Sequence, residues 1–188
     1  MATEVEICNS AIAKVRGRRI LTLDDDSTEA RLCKDLYPRV RDRLLRSHPW
    51  NFAKRRAELG QLSETPAFEY TYIHQLPSDC LRLLETDLFY NESWSLEESG
   101  KIFSNSDTVN ALYIAKITDT SRFDTTFIEA LAYLLAKEIA YPLTQSATLV
   151  DMLDKQFNAL MKETRTFNAQ ERGSVKQVEA SEWIDERV

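Results

Sequence analysis

The stretch His48-Pro49-Trp50-Asn51-Phe52-Ala53-Lys54-Arg55-Arg56-Ala57-Glu58-Leu59 decides how this chain is read. Two aromatics stand beside three consecutive cations. Such a run suits a nucleic-acid contact, a catalytic corner or a junction between two pieces of core. Pro49 disfavours helical geometry at His48, so a helix arriving from the N-terminal side stops there. Trp50 and Phe52 are large apolar groups that can fasten the exit of that helix into a core. Ala53, Arg55, Ala57 and Leu59 then alternate with Lys54, Arg56 and Glu58. Alternation of period two is a strand signal, and the charges mark an edge strand whose polar side faces water or a partner. The stretch reads as a passage from helix to sheet.

Upstream of it, Cys33, Leu36, Tyr37, Val40, Leu44 and Leu45 repeat with the helical period, which predicts a long helix from about Ser27 to Ser47. Pro38 lies inside the pattern and predicts a kink, or an end one turn early. Asp24-Asp25-Asp26 opens this helix, and Asp26 with Glu29 reads as a capping pair at its positive N-terminus. A first helix precedes it. Thr3 and Glu6 form a capping box, Ile7, Ala11 and Val15 make one apolar face with Ile12 beside it, and Gly17 marks the stop.

Downstream the pattern is strand-rich. Phe68, Tyr70, Tyr72 and His74 alternate with Glu69, Thr71, Ile73 and Gln75, and Leu76-Pro77-Ser78-Asp79 reads as a turn. Cys80–Tyr90, Trp94–Glu98, Lys101–Phe103 and Val109–Ile117 are further strand candidates, separated by Glu98-Ser99-Gly100 and Ser104-Asn105-Ser106-Asp107. Helix returns after an N-cap at Asp124. Phe127, Ile128, Leu131, Leu134, Leu135 and Ile139, with Ala130, Ala132, Ala136 and Ala140, make a strongly apolar helix that Pro142 ends or bends. Its small residues allow close approach of a neighbour, so it is expected at the centre of a bundle. A fourth helix runs from about Ser146 to Gln170, with Leu149, Met152, Leu153, Phe157, Leu160, Met161 and Thr164 on one face. From Gly173 a tail carries Val175, Val178, Trp183 and Ile184 among acids and polar groups. It is either a docking segment with Trp183 as anchor or a loose end with one incidental aromatic.

Composition limits the function. At 43% hydrophobic with 4 Gly and 5 Pro, the chain can bury a core and is not loop-dominated. No apolar run approaches the roughly 20 residues of a membrane helix, and the acidic N-terminus lacks the order of a signal peptide. Cys8, Cys33 and Cys80 form no C-x-x-C pair, which disfavours a zinc site or disulfide framework. His48 and His74 lack ligand partners at metal spacing and read as structural. No Gly-rich phosphate loop and no G-x-S-x-G occurs. Nothing calls for a cofactor, a metal or a catalytic residue. The net charge of −6 is unevenly spread: Lys14 to Arg56 holds thirteen Lys/Arg against six Asp/Glu, and the chain from Ala57 holds eleven against twenty-two. Such asymmetry suits either a solvated basic helix face or complementary faces of neighbouring subunits. The same cations with Tyr37, Trp50 and Phe52 could instead grip phosphates and stack bases.

Three phrases carry a likeness: "EICNSAIAKVRGRRILTLDDDSTEARLCKDLYPRVRDRLLRSHPWNFAKRRAEL", "YIHQLPSDCLRLLE" and "FIEALAYLLAKEIAYPLTQS". Together they resemble the tail tubular protein A family, the head-to-tail adaptors of short-tailed bacteriophages. The similarity reaches to about Gln170, and the first phrase is its most specific part. The resemblance implies an α+β, mainly α fold, a four-helix bundle with a β-rich insertion between the second and third long helices and an extended C-terminal tail. Residues 1–50 and 118–172 would form the bundle, 51–117 the insertion and 173–188 the tail. It implies a structural subunit without catalysis or cofactor, assembled in the host cytoplasm and resident in the neck of the virion tail. Copies would form a ring, usually dodecameric, between the portal protein and the tail nozzle protein. DNA would pass through the channel without specific binding, and no membrane is involved. Arg39, Arg43 and Arg46 are expected to meet acids of a neighbouring copy, and Val175, Val178, Trp183 and Ile184 to reach the portal. A DNA-binding or tail-completion assembly factor at the same vertex is the alternative.

Overall fold

A computed structural model describes residues 2–88, 93–98 and 100–170, the last four without their side chains. It shows a mixed α/β protein with four helices and two antiparallel sheets. Helix α1 spans Glu4–Lys14. Thr3 caps it: its hydroxyl accepts from the Glu6 amide at 3.2 Å, and its own amide donates to Glu6 at 2.8 Å. The expected stop at Gly17 is displaced by one residue. Arg16 takes the left-handed conformation, φ 58°, while the amides of Arg16 and Gly17 donate to Ala13 and Ile12. These are the bonds of a Schellman ending, with arginine where glycine is usual.

Helix α2 spans Thr28–Ser47. Its N-cap is Ser27, not Asp26: the Ser27 hydroxyl accepts from the Ala30 amide at 3.2 Å. Asp26 pairs with Arg31 instead, and Glu29 accepts from the Arg18 amide. Pro38 does not end the helix. The proline ring is on the exposed face, so the carbonyl it leaves unpaired is on the water side. The helix does end where Pro49 requires, with His48 extended at φ −139°, ψ 143°.

Among the described residues seven strands follow: β1 Lys54–Glu58, β2 Gly60–Gln61, β3 Tyr72–Gln75, β4 Cys80–Thr86, β5 Trp94–Glu97, β6 Lys101–Ser104 and β7 Asn110–Ala115. One sheet has the order β1-β7-β4, the other β2-β3-β6-β5. β1 lies on the edge of the first, as its charges predict. The chain passes to the second sheet at Leu59, a buried residue whose amide donates to Val109. Residues 68–71 are not strand. The partner strand β6 runs out at Ser104, opposite Tyr72, Glu69 adopts φ 69°, and Phe68 is left 79% exposed.

Helices α3, Thr125–Thr144, and α4, Ala147–Gln170, complete the fold. Asp124 caps α3 by accepting from the Phe127 amide at 2.6 Å. Pro142 falls in the last turn and the helix continues to Thr144, where Gln145 is left-handed at φ 53°. α3 packs against α1, α2 and α4, and Ala130, Ala132, Ala136 and Ala140 are all buried. On α4, Leu153, Met161 and Thr164 are buried, but Met152 is 45% exposed and off the packed face. The main core joins the helices to Tyr113, Ile114 and Ala115 of β7, and a smaller one of Leu59, Leu76, Ile102, Val109 and Ala111 lies between the sheets.

Candidate interaction surfaces

The His48–Leu59 stretch resolves into an anchor. Trp50 is wholly buried, and its indole N–H donates to the Leu44 carbonyl at 3.0 Å. That carbonyl belongs to the last turn of α2, where no helical donor remains. Trp50 meets Phe127 edge-on at 5.0 Å between centroids, and Phe52 meets Phe127 and Phe123 at 5.1 and 5.8 Å. Tyr37 is buried as well. Tyr37 and Trp50 are therefore structural and cannot stack on bases.

The cations separate into used and unused ones. Arg41 points inward, buried, and donates to Asp42 at 2.8 Å, while Lys116 reaches the same carboxylate at 3.1 Å. Arg55 pairs with Asp79 at 2.7 Å, and Tyr113 donates to Asp79 at 3.1 Å, which ties β1, β7 and the turn before β4. Lys34 pairs with Asp24 at 2.7 Å. Of the three arginines expected to meet a neighbour, Arg43 donates to Glu138 of its own chain at 2.6 Å. Arg39 borders the same shallow hollow between α2 and α3, with Leu36 and Val40. Arg46 sits in the last turn of α2, and its carbonyl accepts from Arg82 at 3.3 Å. All three arginines are exposed on α2. Among the described residues Arg39 and Arg46 form no ion pair. The structure thus places the three on one helix, with Arg43 already holding an acid. Val175, Val178, Trp183 and Ile184 lie outside the described residues.

Two surfaces escaped the sequence reading. The loop between α1 and α2 carries Leu21, 83% exposed, a residue outside the apolar stripe of either helix. The far half of the β1-β7-β4 sheet forms an open groove of about 400 Å³ that includes Leu112, Glu58, Glu85 and Asp87. The exposed acids of β1 and β4 signalled water, and sequence gave no reason to bring them together.

The histidines are structural. His48 is buried edge-on against Trp50 at 4.9 Å, and His74 Nε2 lies 3.0 Å from the Ser106 carbonyl. Among the described residues no group of three His, Cys, Asp or Glu could hold a metal ion, and no helix is long and apolar enough to cross a membrane. Compared with models of known families and with curated proteins, the chain matches none.

Proposed function

We propose that this chain is a structural head-to-tail adaptor of a short-tailed phage, a subunit of a ring joining portal to tail nozzle. The observation that carries this reading is where the three family-like phrases fall. The first covers α1, α2 and β1, the second β3 and β4, and the third α3. They supply most of the main core, together with Leu59 and Leu76 of the smaller one. On this reading the four helices form a bundle, the strands are its insertion, and the subunit works through its surfaces without chemistry of its own. The solvent row Arg39, Arg43, Arg46 supports a neighbour contact, with Arg43 exchanging or sharing Glu138.

Portal particles mixed with the purified protein and imaged by electron microscopy test the reading. A ring added beneath the portal is expected, and portal particles that remain bare would overturn it. Charge reversal of Arg39 and Arg46 to Glu is expected to abolish ring formation and leave the monomer folded. The DNA-binding alternative predicts instead a gel shift that disappears steeply with salt.

A further inference from the structure

The loop from Val15 to Ser27 is held unusually tightly for a connection. Asn9 on α1 clamps Ile20 twice: its amide group donates to the Ile20 carbonyl and its oxygen accepts from the Ile20 amide, both at 2.9 Å. Asp25 accepts from the Leu21 amide at 2.7 Å and from the Thr22 hydroxyl at 2.8 Å. The Schellman ending fixes the entry of the loop and the Ser27 cap its exit. Ile20 is buried, so the backbone beside Leu21 is tied to the core. Leu21 itself projects into solvent.

A single exposed leucine needs no explanation. This one is preorganised, and its flanking charges are unspent. Arg16, Arg18 and Arg19 are exposed and make no ion pair among the described residues. The loop acids are already engaged: Asp24 with Lys34, Asp25 with the loop backbone, Asp26 with Arg31. The tip is an apolar knob bordered by Arg18 and Arg19, with Asp25 and Asp26 beside them already engaged.

The groove has the opposite character. Half-buried Leu112 gives it an apolar floor, and Glu58 and Glu85 stand around it with the cation Arg56, while Asp87 is held by Asn110. Knob and groove lie at separate places on the chain. The loop enters α2 at its first residue and the strands of the groove follow its last, and a 20-residue helix spans about 30 Å.

We propose that the Leu21 knob of one copy seats in the Leu112 groove of a second copy, with Arg18 and Arg19 facing Glu58 and Glu85. The argument is charge complementarity between two preformed surfaces. Each copy carries both halves, so the contact is heterologous and propagates head to tail, closing into a ring where the rotation allows. A rigid knob loses little freedom on binding, which favours a specific contact of small area. The inference rests on the ring reading and adds a pair of surfaces to the arginine row of α2.

Two half-sites allow a decisive test. Leu21→Asp removes the knob and keeps the groove; the double variant Glu58→Lys, Glu85→Lys does the reverse. All three positions are exposed, and circular dichroism verifies folding. In sedimentation velocity each variant alone should self-associate about tenfold or more weakly than the parent chain. Mixed together, they should stop at a one-to-one dimer, joined by the intact knob and the intact groove. A photo-reactive benzophenone amino acid at position 21 should crosslink to the segment around Leu112 of a second copy. Undiminished self-association of either variant overturns the proposal and leaves the ring reading standing. Crosslinks from position 21 to the portal, or to another part of a second copy, do the same. A parent chain that stays monomeric and uncrosslinked at millimolar concentration also overturns it, whereas the ring reading is judged separately by the portal mixture.

Discussion

Trp50 shows how one side chain converts a helix end into a sheet start. Its ring fills the space between α2 and α3, and its N–H serves the Leu44 carbonyl. That carbonyl also accepts from the Ser47 hydroxyl at 2.8 Å. Removing the indole N–H alone therefore does not leave the acceptor empty, and packing should dominate the cost. Trp50→Ala is expected to destabilise the fold by about 3–5 kcal/mol. Trp50→Phe, which keeps much of the ring contact, should cost clearly less. Urea denaturation measures both, as a lower midpoint with an unchanged slope. Equal losses for the two variants would show that the hydrogen bond, not the ring, holds the junction. The paired thiols of Cys8 and Cys33 illustrate another use of burial. Both are fully buried, and the hydrogen bond between them, with burial, pushes the Cys8 thiol up. A buried thiol so raised is a poor nucleophile.

At the scale of elements, α4 depends on α3. Leu153 and Met161 provide its buried apolar contacts, and Lys137 on α3 donates to Asp154 on α4. That hydrogen bond holds the Asp154 carboxyl below its ordinary range. A carboxylate depressed in the folded state contributes stability that is present above the unfolded value, about 3.9 for aspartate. The contribution is lost as pH falls through the lower, folded value. Hydrogen exchange on α4 should therefore quicken relative to α3 once the pH falls below about 3.9. Asp154→Asn should remove that part of the pH dependence, and an unaltered acid response in the variant would dismiss the link. The elements themselves were legible where local chemistry decided them: the Thr3 box, the stop before Pro49, the Asp124 cap. They were illegible where a distant residue decided. Phe68–Thr71 alternates like a strand, but β6 has no residue left to pair with it beyond Ser104. Asp26 looks like a cap until Arg31 and Ser27 compete for the roles. The exposure of Arg39, Arg43 and Arg46 followed from their spacing. The partner of Arg43, at position 138, could not, since only the packing of α3 on α2 brings it near.

For the whole molecule, the distribution of burial separates what holds the fold from what remains for partners. The apolar core closes with Met161, and Thr164 is the last buried residue described. Among the described residues neither core extends past Met161. If the segment after Gly173 acts on the portal, as the adaptor reading proposes, its removal should divide two properties that most truncations lower together. A chain ending at residue 172 should unfold in urea with a midpoint equal to that of the full chain, within about 0.5 kcal/mol of stability, the range of changes that miss the core. Its attachment to portal particles should weaken, because the Trp183 side chain is the largest apolar group on offer there and ordering a segment needs such burial to offset the entropy. Cosedimentation with portal particles measures the second property. Trp183→Ala in the full chain narrows the cause to the anchor. Portal attachment as strong as that of the parent, in a truncated chain of equal stability, would remove the tail from the adaptor's function and leave portal contact to the folded body.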